Sequence, residues 1–319
     1  MGMPRSAVLL SILVVACHRD DPATIGPDGT TTPSGDSDSN VGPNLFAAAG
    51  YSGRRAISAS GTVWTNDSQL ETGGGDDDAQ FRGIGYGAGT WVAVGGAALG
   101  HIEWTRDGVT WNDVSDHLGW LGGVAFGNGM FVAAGGNGRT IRSPDGATWT
   151  DAGTVHPQSL RAIGFGGGTF VAIGDGGRRI ASSDGVAWIG DTTGGATLRA
   201  IAYGNGRFVA VGETGRRVVS LDGTVWIDDT IGGEALRSIV FANGVFVAVG
   251  GGRTIVSADG VAWTEHQTPG VSLNAVAYGD GVFAGTAYAG VRYTSPDGFT
   301  WNEVAGQDGT TLVAIVWGE

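Results

Sequence analysis

Lysine is missing altogether, cysteine occurs once, proline nine times, and only 15% of the 319 residues carry a charge. A single cysteine, Cys17, excludes an intramolecular disulfide, a thiolate zinc site and a cysteine-pair redox centre. The five histidines, His18, His101, His117, His156 and His266, lack metal-ligand spacing, so we read them as solvated loop residues and expect neither metal nor cofactor. All eighteen basic residues are arginine, set against thirty-one acids. The resulting net charge of -13 argues against a nucleic-acid partner, and against an anionic lipid surface unless the arginines gather on one face. Helix formers give way to 61 glycines, so turns rather than long helices are expected.

Repetition is what the chain has in plenty. "FGNGMFVAAGGNGRTIRSPDGATW" at 126–149 returns as "YGNGRFVAVGETGRRVVSLDGTVW" at 203–226. Each unit closes on a tryptophan, Trp64, Trp111, Trp149, Trp188, Trp226, Trp263 and Trp301, at intervals of 47, 38, 39, 38, 37 and 38 residues. A period near forty, built of short apolar alternations punctuated by glycine, predicts an all-β, seven-bladed β-propeller with one four-stranded sheet per unit. A right-handed β-solenoid would want shorter coils and parallel pairing. Within one unit the strands read as "LRAIAYG" (198–204), "RFVAVG" (207–212), "RRVVS" (216–220) and "TVWID" (224–228), with turns at Gly204-Asn205-Gly206 and Asp222-Gly223. After Trp301 the rhythm restarts at Leu312 and the sequence given stops at Glu319, one strand into a unit. The remainder stands at the other end, where Phe46 lies 18 residues before Trp64, as Phe208 does before Trp226. The C-terminal segment should therefore supply the first strand of a blade and the N-terminal segment the other three, removing two exposed sheet edges.

Residues 1–16 carry one positive charge, Arg5, and an apolar run too short for a spanning helix with flanks, which reads as an export signal. The run ends Val14-Val15-Ala16-Cys17 and resembles the lipobox of bacterial lipoproteins. That resemblance implies cleavage before Cys17, its lipidation, and, with His18 following, a place in the outer membrane or cell envelope. Residues 17–43 are then the lipidated cysteine and a flexible tether rich in Pro, Gly, Ser, Thr and Asp, and residues 44–319 form the propeller.

The phrase Ser143-Pro144-Asp145-Gly146-Ala147-Thr148-Trp149 recurs around Asp107, Asp184, Asp222, Asp259 and Asp297. It resembles the Asp-box, or BNR, repeat of the sialidase-like propeller superfamily, which includes the seven-bladed photosystem II assembly factor group. The family motif has one residue between Asp and Gly, whereas here the two are adjacent. The resemblance implies a structural turn between the third and fourth strands, remote from any active site. Unit two has Thr105 for the serine, and unit one has Ser60 for the aspartate. A sialidase would also need an arginine triad, a tyrosine nucleophile with a glutamate partner, and an aspartate acid; "FRGI" at 81–84 only superficially matches the superfamily's Phe-Arg-Ile-Pro.

Arginine is not spread at random. In an up-and-down sheet the start of strand one, the turn from strand two to three and the exit of strand four share a face. That face should hold Arg82, Arg161, Arg199 and Arg237 near the axis, with Arg54, Arg55, Arg139, Arg178, Arg179, Arg216, Arg217, Arg253 and Arg292 from the turns. The same face receives Asp113, Asp151, Asp191, Asp228, Glu265 and Glu303, so two uses compete: structural salt bridges between blades, or capture of an acidic ligand. The "GGGDDD" insertion (73–78), the loop ending at Trp120 and the expansion before Trp104 add irregularity to it. We expect a lipid-anchored, monomeric binding or scaffold module whose arginine face takes a protein, acidic or carbohydrate ligand. The alternative is a sialidase-like glycosidase using the same face. Membrane contact is expected through the anchor alone.

Overall fold

The computed structural model describes residues 44–70, 79–115, 118–230, 232–268, 270–305 and 309–319. Residues 1–43, on which the expected export signal, Cys17 and the expected tether fall, and the 73–78 insertion lie outside the described residues. Seven four-stranded antiparallel sheets account for twenty-eight strands, and the only helical turns among the described residues are five 3-10 turns of three residues.

Blade 1 is built from both ends of the chain: Leu312–Gly318 pairs antiparallel with Leu45–Gly50, which continues to Arg55–Ser58 and Thr65–Ser68. The register runs from Leu45 opposite Gly318 to Gly50 opposite Leu312, as the split repeat requires. Blades 2 to 7 follow in chain order, their first strands being Phe81–Gly87, Leu121–Gly127, Leu160–Gly166, Leu198–Gly204, Ser238–Ala242 and Leu273–Gly279. These first strands and Leu312–Gly318 touch one another in a closed circle, which defines the axis.

Burial follows from the repeat. The second strand of every blade opens on a large ring, Phe46, Trp91, Phe131, Phe170, Phe208, Phe246 or Phe283, each at most 1% exposed. Alternating Val, Ala and Ile then bury one sheet face against each neighbouring blade, so a blade completes its core only in company. Glycine closing the first strand permits the approach: a Cβ on Gly127 would stand 2.1 Å from the ring of Phe165 in the next blade. Asparagine in the first hairpin turn adds a polar staple, the Asn205 amide donating to the carbonyls of Gly244 (3.3 Å) and Ala258 (3.0 Å) one blade on.

The fourth strand of blade 5 is the segment that departs from the sequence reading, spanning Ile227–Thr230 rather than 224–228. Asp222 Oδ1 accepts the amides of Thr224 (2.8 Å) and Val225 (2.9 Å), which holds those residues in the turn. The strand begins only past Trp226. All six aspartates of the recurring phrase do the same, while the preceding Ser or Thr hydroxyl accepts the glycine amide, as in Ser143 to Gly146 at 2.8 Å. In blade 1 the Ser60 hydroxyl replaces the carboxylate with longer contacts, 3.3 Å to Thr62 and 3.5 Å to Val63.

Candidate ligand-binding face

In five blades the turn from second to third strand tightens into a 3-10 turn, and in all but blades 2 and 7 the turn delivers an arginine whose head points back across its own blade. Arg54 binds Asp67 with two parallel bonds (2.7 and 2.6 Å) and reaches the carbonyl of Thr310. Arg253 donates to Glu265 (2.8 Å) and to the Glu234 carbonyl (2.7 Å), and Arg178 pairs with Asp191 and donates to Gln158 (3.0 Å). Arg139 stands 3.6 Å from Asp151, and Arg216 is held by the carbonyls of Gly194 (2.6 Å) and Ala196 (2.8 Å). All five are buried. The four carboxylate pairs tie the fourth strand to the turn of the same blade, not blade to blade, while Arg216 binds the connection that leads into its blade.

The next arginine in line serves the neighbouring blade. Arg292 lies 4.9 Å over the ring of Trp64, Arg55 and Arg179 lie 5.7 Å over Trp111 and Trp226, and Arg217 lies 5.6 Å over Trp263. Each is a cation–π contact between consecutive blades, with the aliphatic stem buried alongside. Arg292 also donates to Asp67 (2.6 Å), so the closing blade is clamped by Arg54 and Arg292 on one carboxylate. Burial pushes the Asp67 carboxyl up, but the hydrogen bonds and charges of Arg292 and Arg54 outweigh it and hold the group below the usual carboxylate range.

Four arginines stand at or just before the starts of the first strands. Arg82 donates to the Gly96 carbonyl (2.8 Å), Arg161 makes a two-pronged bond with Asp175 (2.7 and 2.9 Å), Arg199 pairs with Glu213, and Arg237 donates to Asn274 (3.1 Å) and to the Tyr288 hydroxyl. Arg82 and Arg199 are buried; Arg161 and Arg237 are partly exposed. In sequence Trp120 stands out only as the end of an irregular loop. It fits between Arg82 and Arg161, 5.0 and 5.1 Å from their guanidinium carbons, because blade 3 has Gly122 where its neighbours carry arginine. A planar ring flanked by two cations, with two further arginines on the rim, presents donors in fixed directions to a carboxylate.

Two features went unread in the sequence. Glu103 occupies a third-strand position that elsewhere holds Ala56, Ile141, Ile180, Val218, Ile255 or Tyr293. It is 3% exposed and bridges Arg55 of blade 1 and the Nε2 of His101 (3.2 Å). A charge at an apolar position was the available signal. His101 is thus a buried strand residue stacked on Phe81 at 4.5 Å, not a solvated loop residue: the third strand of blade 2 starts at His101, and its ring fills the space beside Phe81. A tyrosine–glutamate pair exists at Tyr293 and Glu303, but as cross-strand partners on the two outer strands of blade 7. Burial first, then the charge of Glu303, raises the Tyr293 phenol, the reverse of what an activated nucleophile needs.

No family model matches the sequence, and no curated protein matches it. Solved structures do. A structure of YCF48 bound to D1 peptide is 22% identical with a TM-score of 0.58, covering 72% of this chain and 83% of the other. YCF48 from Cyanidioschyzon merolae is 16% identical with a TM-score of 0.54, covering 70% and 84%. The chain is thus a seven-bladed β-propeller similar in fold to YCF48.

Proposed function

We propose that this chain is a non-catalytic binding module of the bacterial envelope, anchored through Cys17, whose axial arginine face receives an acidic segment of a protein partner. The observation that carries the reading is the Trp120 cluster, in which the buried Arg82 and the partly exposed Arg161 flank the ring, with the partly exposed Arg237 beside Tyr288 farther round the same face. A propeller of the same fold was solved with a peptide bound, which supports a peptide as the class of ligand. The Tyr293–Glu303 pair lies on outer strands, which favours binding over hydrolysis at the axis. The recurring aspartate turns support descent from the Asp-box propellers.

Fluorescence anisotropy with a labelled poly-glutamate peptide tests the face. Arg161→Glu with Arg237→Glu should weaken binding by about tenfold or more, and Arg106→Glu, on the opposite face, should leave it unchanged. Equal affinity in all three proteins refutes the assignment. Intact-mass analysis of the membrane fraction tests the anchor: an acylated mature N-terminus at Cys17 is expected, and an unmodified one contradicts it.

A further inference from the structure

Four of the seven tryptophans that close the blades are covered by a guanidinium from the preceding blade. At the groove between blades 2 and 3 the residue in that place is Ile102, and over Trp149 there is a cavity of about 290 Å³. Ile141 and Val114 line it beside the indole, Leu118 is exposed at its mouth, and Arg139 and Asp151 complete the lining.

The groove between blades 7 and 1 shows what such a cavity is shaped to hold. There the own-blade turn arginine (Arg54) and the own-blade fourth-strand carboxylate (Asp67) meet the own-blade indole (Trp64), and Arg292 of the preceding blade lies over the ring while bonding the carboxylate. Blade 3 supplies three of these four parts in the same order, Arg139, Asp151 and Trp149. Only the guanidinium from the preceding blade is replaced, by an isoleucine.

We propose that this groove is a binding site for the side chain of an arginine presented by a protein partner. The guanidinium would lie on the Trp149 ring and donate to Asp151, as Arg292 does on Trp64 and Asp67. Planarity selects it over an ammonium, because a flat cation can stack and still direct two N–H groups at a carboxylate. Charge permits it. Arg139 is turned to Asp151 and to the Gly119 carbonyl (3.3 Å), and a second carboxylate, Asp113, lies beside the lining residue Ser115, whose amide it accepts at 2.8 Å. Asp151 keeps 47% of its side chain exposed and so remains within reach of a partner. A cavity at the low end of small-molecule sites suits one long side chain. The site lies on the same face but uses Trp149 and Asp151, neither of which belongs to the Trp120 cluster, so its success or failure leaves that reading untouched.

The test uses the full-length protein labelled with ¹⁵N, reading the indole N–H of Trp149, which Trp149→Phe identifies. Titration with Nα-acetyl-L-arginine amide should shift that signal saturably, and the isosteric neutral citrulline derivative should bind at least about tenfold more weakly. Ile102→Arg, which restores the missing internal guanidinium, should abolish the shift. If that variant does not fold, Asp151→Asn serves instead, with a loss of about tenfold in affinity expected. Equal shifts by the arginine and citrulline probes, or undiminished binding in the folded Ile102→Arg or the Asp151→Asn protein, would overturn the proposal. Tighter binding of free L-arginine than of the capped form would overturn the protein-borne source.

Discussion

Replacing Asp67 by Asn should weaken the ring at its seam. The carboxylate receives three charge-assisted hydrogen bonds, two from Arg54 and one from Arg292, and Arg292 is fully buried. Removing one partner of a fully buried ion pair costs about 3–5 kcal/mol, because the remaining charge is left uncompensated. The Asp67 side chain is 32% exposed, so solvent already screens part of the interaction. We therefore expect about 2–3 kcal/mol, or roughly 5–10 °C in Tm for a domain of this size. Asp191→Asn is the matched control. Its side chain is 53% exposed and serves a single arginine within one blade, so it should cost about 1 kcal/mol or less. Thermal melts followed by circular dichroism measure both, and hydrogen exchange locates the effect, with faster exchange in Leu45–Gly50 and Leu312–Gly318 before the other blades. Adding Arg292→Met to Asp67→Asn should recover part of the loss by removing the stranded charge. If Asp67→Asn costs no more than Asp191→Asn, or exchange rises evenly around the ring, the seam is not clamped in this way.

Acid should loosen the protein through the same carboxylates. Asp67 and the turn aspartates titrate lower in the fold than in the open chain, so the stability they contribute is complete above the ordinary value of 3.8 and is lost as pH falls through the folded values. For Asp222, where the amides of Val225 and Thr224 are the main cause, that value is about 2, so melts between pH 4 and pH 2 should show a falling Tm and salt-independent loss of its turn. Gly127→Ala should destabilise by about 1–3 kcal/mol through overpacking against Phe165, measured by urea unfolding, whereas Gly232→Ala, whose Cβ meets nothing and whose backbone is not left-handed, should cost less. Arg217→Met should cost about 1 kcal/mol by removing the stack on Trp263 while keeping an apolar stem, and less than Arg217→Ala; no loss in Arg217→Met beside a clear loss in Arg217→Ala would show that packing, not charge, carries the contact.

The sequence by itself determined the number of blades, the order of strands and the joining of the two ends. Each of these rests on contacts that repeat locally. A strand meets its hairpin partner across Gly-Asn-Gly or Asp-Gly, and the tryptophan period counts the sheets. It also leads to the expectation that thirteen of the eighteen arginines share one face, since they fall at strand ends and turns that alternate in direction. What it left undecided was the use of each arginine, because some partners lie in the same blade and others come from the next blade or from the far end of the chain. Arg292 meets Asp67 across 225 residues and Arg54 meets Thr310 across 256, and no local pattern encodes either. Only the closed ring divides one composition into own-blade ties, stacks on the next blade and an axial cluster around Trp120. The same holds for Ile102, which in sequence is an ordinary apolar strand residue. It becomes a gap only when Trp149 of the next blade stands where a guanidinium would lie.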